Sequence, residues 1–388
     1  MNSICKLCFS ELNEKPILIL NDMPKAAQFF PEPNEFKKDK GVSLKVFQCI
    51  KCGLVQLNSE PVDYFKNVIT AASLSGDARS SRLNQMKNLK EKYDLLNKRV
   101  LEIGCASGSM LDIIEESGMS AFGIEASKDS VDEGLRKGRK IIHGFIGDFE
   151  KISQGPYDAF VSFNYLEHMP EPTKVLNIIS NNLSDNGLGL VTVPNFDYLL
   201  KTKCFYEFVP DHLSYFTKET ISNIFLNCGF TIKEISLINN ENDILIIVQK
   251  SKIKTEVNFN KPKKINLSKG LEEIESLKLE LKSLVKRYKH QNKKIAIWGA
   301  GHRTLALLSI SNLIEIEYIV DSAKFKQGRY SPVLHTKIFS PEILKKNEID
   351  LLIVMVPGIY PDEVIKTAKN MNIKADIAKL RDNKIEFV

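Results

Sequence analysis

No apolar run in this chain approaches the roughly 18 residues that a membrane-crossing helix needs. The longest candidates, 295–300 and 351–356, are strand-sized. The opening Met1-Asn2-Ser3-Ile4-Cys5 lacks a basic stretch followed by an apolar one. No secretion signal is read there, so the cytoplasm is the expected compartment and no membrane partner is expected. Seven cysteines in 388 residues are too few for a disulfide scaffold. Hydrophobic residues at 43% and charged residues at 26% exclude a wholly disordered or collagen-like chain. The length exceeds one ordinary core and predicts two or three domains of roughly 150 residues each.

A net charge of +6 raises nucleic acid as a partner, and its distribution argues against one. Residues 250–300 hold 14 Lys and Arg against 5 acids, which leaves −3 for the rest of the chain. A solvated, lysine-rich linker accounts for that block. Residues 1–60 carry 8 Lys and 7 acids, a poor composition for an RNA-binding ribbon.

Four of the cysteines form two knuckles, Cys5-Lys6-Leu7-Cys8 and Cys49-Ile50-Lys51-Cys52. Two such pairs complete a tetrahedron around zinc, and Gly53 supplies the tight turn after the second. A cytoplasmic chain disfavours disulfides, and no strand–helix unit accompanies either pair as a redox motif requires. With all four positions filled by protein, the site is expected to be structural. Cys105, Cys204 and Cys228 lack partners at ligand spacing and are expected to be small buried residues. The intervening loop, with Pro24, Phe29, Phe30, Pro31, Pro33 and Phe36, is expected to pack against its own ribbon rather than a neighbouring domain.

In the middle of the chain, Arg99-Val100-Leu101-Glu102-Ile103 reads as a strand. It runs into Gly104-Cys105-Ala106-Ser107-Gly108 and then a helical pattern through Met110, Leu111, Ile113 and Ile114. Such a unit brings backbone close to a ligand at the carboxyl end of a parallel sheet. A second strand ends in Glu125, placed to accept ribose hydroxyls; a third segment ends in Asp148; a fourth strand leads to Asn164-Tyr165-Leu166-Glu167-His168. A dinucleotide dehydrogenase would carry Gly-x-Gly-x-x-Gly, which 104–109 does not supply. Ordered this way, turn, acid, acid and Asn-x-Leu-Glu-His resemble the class I S-adenosylmethionine-dependent methyltransferases over roughly 85–250. By that resemblance Gly104 and Gly108 line the methionine part of the cofactor, and Glu102, Cys105 and Ala106 of the same motif are cofactor-binding. Glu125 and Ala126 meet its ribose, Asp148 and Phe149 its adenine, and Asn164 and His168 lie near its methyl group. Ala106 replaces the family's middle glycine; its added methyl group narrows the turn and is tolerated where φ is negative.

Beyond a fifth strand, Pro194-Asn195-Phe196 precedes an aromatic segment containing Val209-Pro210-Asp211-His212-Leu213-Ser214-Tyr215-Phe216. A histidine near neutrality can take a proton from an acidic carbon or a hydroxyl, and the adjacent Asp211 is expected to stabilise the resulting imidazolium. Residues 268–290 form a helical stripe leading to a second strand–turn–helix unit around Trp298-Gly299-Ala300-Gly301-His302-Arg303. The amides of that turn, with Arg303 and Lys326, are candidates for a pyrophosphate; a purely architectural domain is the alternative.

Taken whole, the order of motifs is similar to the zinc-containing C-methyltransferases that act on nucleotide-linked 4-keto sugars. The resemblance implies a zinc ribbon over 1–65, a Rossmann-like methyltransferase domain over 66–255 and a Rossmann-like α/β domain over 256–388. It implies S-adenosylmethionine and structural zinc on Cys5, Cys8, Cys49 and Cys52. It implies His212 as the base, with Asp211 and His168 catalytic, and Asn195, Tyr215, Gly301, His302 and Arg303 facing a nucleotide-sugar substrate. The family's Tyr-x-Glu-His stands here as 209–212, its tyrosine before the core falls where this chain reads 69–75, and its Trp-Asn region stands as 357–360. An O-methyltransferase of the same architecture and a non-catalytic sugar-nucleotide-binding protein therefore stay open beside C-methylation.

Overall fold

The computed structural model describes residues 4–67, 76–251, 257–356 and 360–388. The two segments compared above at 69–75 and 357–359 lie outside the described residues. Three sheets organise the chain. Near the amino end, strands Leu18–Met23, Val42–Gln48 and Val55–Leu57 form an antiparallel meander. Its fourth strand, Ser214–Tyr215, arrives from far along the sequence and pairs with Val55 and Gln56.

The central sheet is built from β1 (Arg99–Ile103), β2 (Ser120–Glu125), β3 (Ile141–His143), β4 (Tyr157–Phe163), β5 (Leu183–Pro194), β6 (Phe230–Ile238) and β7 (Asp243–Lys250). Its order is β6-β7-β5-β4-β1-β2-β3, parallel except where β7 enters antiparallel between β5 and β6. Val100, Leu101 and Ile103 are buried because helices cover both faces, and this explains the continuous apolar reading of β1. The strand order reverses at β1 and β4, and such a topological switch point opens a ligand crevice at the carboxyl ends of the strands. Helix α1 (Gly76–Tyr93) precedes β1 and buries Met86 and Leu89, while α2 (Ser109–Glu116) follows the glycine turn.

The carboxyl-terminal sheet has five strands in parallel and a final antiparallel edge, Lys384–Phe387. Helix α3 (Ser268–Lys289) leads into it, and α4 (His302–Ser311) follows its glycine turn. The three units share a core. Leu20 and Val46 from the first sheet, Phe205 and Phe208 from the aromatic segment, and Leu277 and Ile297 from the last domain belong to one apolar cluster.

The proline-rich loop departs from the expected packing on its own ribbon. Phe36 stacks on His335 at 4.0 Å between ring centres, and Phe30 meets Phe325 edge-on at 6.5 Å. Asp39, 3% exposed, accepts from the Val333 amide at 2.7 Å and lies 3.1 Å from His335 Nε2. The loop straps the carboxyl-terminal domain because Asp39 has its amide donor there, and a buried carboxylate is stable only where such donors are.

Gly270 shows how closely α3 sits on the aromatic segment. A Cβ there would lie 1.5 Å from Phe205 Cε2, and Phe205 is 3% exposed. Gly→Ala in a helix ordinarily gains about 1 kcal/mol, whereas overpacking costs about 1–3 kcal/mol. Gly270→Ala is therefore expected to destabilise by about 1–2 kcal/mol in denaturant titration; a stabilised variant would contradict this packing.

Candidate active site

The cofactor half grows from the end of β1. Gly104 has φ +72°, and a Cβ there would come 2.7 Å from the Tyr165 ring, so glycine is required. Ala106 also lies in the left-handed region, at φ +48°. The condition for an unstrained alanine, a negative φ, is thus not met. For an alanine this costs roughly 1–2 kcal/mol, and a bonded amide offsets it. The Ala106 N–H donates to Glu125 Oε2 at 2.9 Å, and the Ser127 N–H donates to Oε1 at 2.8 Å. Glu125 therefore braces the turn while sitting where the ribose was expected. Gly108 opens α2, and Cys105 is buried with its sulfur where a Cβ on Gly123 would fall.

Glu102 is 6% exposed, with Oε2 unpartnered among the described residues. Burial pushes its carboxyl up to about 8; Arg82 opposes the shift and Glu125 adds to it. Arg82, from α1, holds its guanidinium 4.3 Å over the Phe163 ring, beside Asn164 at the end of β4. Asn164 accepts from Thr192 Oγ1 at 2.7 Å and reaches Asp243 Oδ1 at 3.4 Å. At the far end, Asp148 pairs with Lys66 at 2.7 Å, and Phe65 meets Phe145 edge-on at 5.4 Å. Phe149 packs against Gly144, and the Ala126 carbonyl lies 3.1 Å from His143 Nε2.

A cavity of about 330 Å³ opens where the three units meet. Asn164, Glu167 and His168 line it from the central domain, Asp211 and His212 from the aromatic segment, Gln28 from the strap and His302 from α4. Nδ1 of His168 lies 2.8 Å from the Asp211 carbonyl. A carbonyl only accepts, so Nδ1 carries the proton and Nε2 carries the lone pair, 4.0 Å from Glu167 Oε1. The His212 ring is half-buried, T-shaped to His168 at 4.7 Å and 6.5 Å from His302. Burial first, then His168 and His302, hold His212 well below the ordinary imidazole range. Burial also pushes the Glu167 carboxyl up to about 8.

The Asp211 carboxylate does not assist His212 as expected. It accepts from the Ala27 N–H at 2.7 Å and the Tyr64 O–H at 2.6 Å. Arg303 is likewise diverted from substrate: buried, it donates to Tyr206 Oη at 2.7 Å and to the Asp382 carbonyl at 3.0 Å. The turn before α4 is no open pyrophosphate cradle either. Asp321 accepts from the Ala300 N–H at 2.7 Å and pairs with Lys326 at 3.1 Å. Gly301 caps α4 and so aims His302 at the cavity. The Tyr215 hydroxyl is spent on Val209, accepting from its N–H and donating to its carbonyl, and Asn195 caps a short helix and donates to the Glu241 carbonyl. Sequence reasoning missed Tyr64, Phe65, Lys66 and Arg82. An Asp63-Tyr64-Phe65-Lys66 cluster soon after the second knuckle was the available signal.

The four knuckle cysteines gather with none in a disulfide. Cys5 and Cys52 sulfurs are 3.4 Å apart, Cys8 and Cys49 3.5 Å, and all four lie within 4.8 Å of one another. The neighbouring Cys49 sulfur, with burial, pushes the Cys5 thiol up to about 12, while hydrogen bonds from Cys5 and Cys52 hold Cys49 far below the thiol range. Four sulfurs converging this closely suit one dication, and the separations fit sulfurs about 2.3 Å from zinc.

Residues 78–235 match a methyltransferase domain, and residues 251–376 match the C-methyltransferase C-terminal domain. C-methyltransferase NovU of Streptomyces niveus is 22% identical over 397 residues, covering 94% of this chain and 92% of that protein. These two matched domains mark the chain as an S-adenosylmethionine-dependent methyltransferase. A ubiquinone biosynthesis O-methyltransferase of Vibrio parahaemolyticus is 29% identical over only 101 residues, 24% of this methyltransferase and 42% of that protein. Among solved structures, magnesium protoporphyrin IX methyltransferase from Synechocystis with bound SAH has a TM-score of 0.39 at 14% identity, covering 49% of this chain and 97% of that one. The PH0226 protein of Pyrococcus horikoshii has a TM-score of 0.40 at 15% identity, covering 49% and 99%. Among the described residues, no helix of the methyltransferase is long and apolar enough to cross a membrane.

The state of Glu102 has a measurable consequence. Its carboxyl stays protonated in the fold up to about 8 but ionises near 4.5 when unfolded. The unfolded chain therefore sheds this proton first, and stability falls as pH rises between those values. Glu102→Gln keeps the neutral form throughout. Its thermal midpoint without cofactor should match the parent near pH 4.5, exceed it increasingly towards pH 8, and keep a constant margin above that. A margin that does not change with pH would count against the assignment.

Proposed function

We propose that this enzyme methylates a nucleotide-activated sugar at carbon, with His212 as the base. One observation carries the reading: a single cavity is lined both by Asn164, at the end of β4 beside the cofactor turn, and by the histidines 168, 212 and 302. A relative named as a C-methyltransferase along nearly the whole chain supports it. When bound, S-adenosylmethionine supplies an electrophilic methyl on a sulfonium. Glu102, the glycine turn and Glu125 hold it, and the cavity orients the acceptor so that carbon, methyl and sulfur align. His212 takes the proton from the carbon beside a carbonyl. The electron pair left behind would take up the methyl that the bound donor supplies, its bond to sulfur breaking as the carbon–carbon bond forms, and His212 would then release the proton to water. Charge on the acceptor oxygen needs a donor, and Asn164 and His302, which line the cavity from two different units, carry N–H groups.

In this reading Cys5, Cys8, Cys49 and Cys52 hold one structural zinc, which fixes the ribbon that carries the strap and Tyr64. The purified protein should contain one zinc per chain. Cys49→Ser should lose it and melt several degrees lower, with faster amide exchange over 42–57. A fully folded, metal-free parent would remove zinc from the account.

Changing His212 to Ala or Asn should slow turnover on the order of 10²-fold or more while leaving S-adenosylmethionine binding intact by calorimetry. Around His212 stand the rings of His168, Tyr215 and His302 at 4.7, 6.1 and 6.5 Å, and Glu167, Glu207 and Asp211 line the same cavity. A base works only unprotonated. With His212 held low by burial and its two histidine neighbours, the acid limb of kcat/KM should fall below the ordinary imidazole value of about 6.5. Solvent deuterium should enter the acceptor without cofactor. Methylation with no such exchange would favour an oxygen acceptor.

A further inference from the structure

We propose that Glu167, His168 and His212 form a binding site for one divalent transition-metal ion, of the zinc, cobalt or nickel class, inside the acceptor cavity and separate from the cysteine cluster. One ligand atom from each of the three lies within 4.8 Å of the others. Two of these ligands are already oriented. The His168 Nδ1–H is fixed on the Asp211 carbonyl at 2.8 Å, the outer contact by which proteins set the tautomer of a metal-binding imidazole. Its Nε2 lone pair consequently faces the Glu167 carboxylate, 4.0 Å away.

The second observation is independent of the histidines. The Glu167 side chain is 2% exposed, and its Oε2 is buried with no hydrogen-bond partner among the described residues. A buried carboxyl oxygen without a partner is costly, and a cation that takes the place of the carboxyl proton removes that cost. Glu167 is fixed in this position by its own backbone, since its carbonyl accepts from the Leu213 N–H at 2.8 Å in the segment that carries His212. Both partners of the site are thus tied to one short stretch. Two imidazoles and one carboxylate suit a borderline metal rather than magnesium or calcium, which prefer all-oxygen shells. The cavity leaves the remaining positions to solvent, as in an open metal site.

Occupancy would engage the His212 lone pair. On the reading of His212 as base, which this consequence rests on, the bound metal blocks proton removal and acts as a reversible inhibitor competing with the acceptor.

The test uses full-length protein with its cysteine cluster filled by zinc, titrated with Co²⁺ and followed by equilibrium dialysis and visible absorption. The expected result is one further equivalent, with d–d bands and no thiolate charge transfer. Glu167→Gln and His212→Gln, each checked for unchanged zinc content and melting, should weaken that equivalent at least about tenfold. No further Co²⁺ bound by the parent, or bands with thiolate character only, would overturn the site. So would two folded variants that bind as the parent does. Turnover should fall in proportion to occupancy; a fully occupied site with undiminished turnover would instead overturn His212 as the base.

Discussion

Two residues of backbone, Ser214 and Tyr215, hold this enzyme's parts in register. They pair with Gln56 and Val55 and so complete the amino-terminal sheet. The adjacent Leu213 accepts from the Leu57 N–H at 3.1 Å and donates to the Glu167 carbonyl at 2.8 Å. One residue therefore links the ribbon to the loop after β4, and His212 precedes it directly. Loop residues fixed by backbone bonds on both sides lose the freedom that would blur a catalytic geometry. The aromatic segment around them, with Phe205, Phe208 and Tyr215 in the shared core, turns this local pairing into a junction of all three units.

The same junction explains why the ribbon is part of the site and not an appendage. Asp211 accepts from the Ala27 amide and the Tyr64 hydroxyl, both from the amino-terminal unit. The strap that begins near Ala27 continues over the carboxyl-terminal domain, where Phe36 stacks on His335 and Asp39 holds Val333. Cys49 and Cys52 sit immediately before the strand that pairs with Tyr215. Order at the cysteine cluster is therefore transmitted to the cavity through a few backbone bonds.

What was legible in the sequence was what depends on short-range pattern. The strand–glycine–helix unit at 99–116, the acids ending β2 and the following segment, and the spacing of the four cysteines are local in sequence. Their chemistry requires those residues at those intervals. What was not legible depends on where distant segments meet. Asp211 next to His212 suggested a pair, yet the carboxylate found Tyr64, 147 positions away. Arg303 suggested an anion site, yet Tyr206 and the Asp382 carbonyl satisfy it. An alanine at 106 is free of strain only at negative φ, and the Glu125 bond that sustains +48° was not visible in the motif. Tyr64 and Arg82 lacked any motif of their own and acquire a role only through folding.

The two Rossmann-like units of the chain use one device to different ends. In each, the acid ending the second strand accepts an amide of the glycine turn: Glu125 from Ala106, and Asp321 from Ala300. In the carboxyl-terminal unit Lys326 then neutralises Asp321, and Gln327 closes on its carbonyl at 3.0 Å. That turn is satisfied from within, and the helix following it contributes a wall residue, His302. In the central unit no lysine covers Glu125 among the described contacts, and Glu102 beside it keeps an unpartnered oxygen. Unspent polar capacity in a folded core is a cost that persists where a ligand repays it. It is left at Glu102 and again at Glu167, one on the cofactor side of the cavity and one on the acceptor side. At the carboxyl-terminal turn the acid is neutralised instead, and the buried unpartnered atom there is Nε of Arg303, a cation already held by Tyr206 and the Asp382 carbonyl, so the turn offers no acid to a ligand.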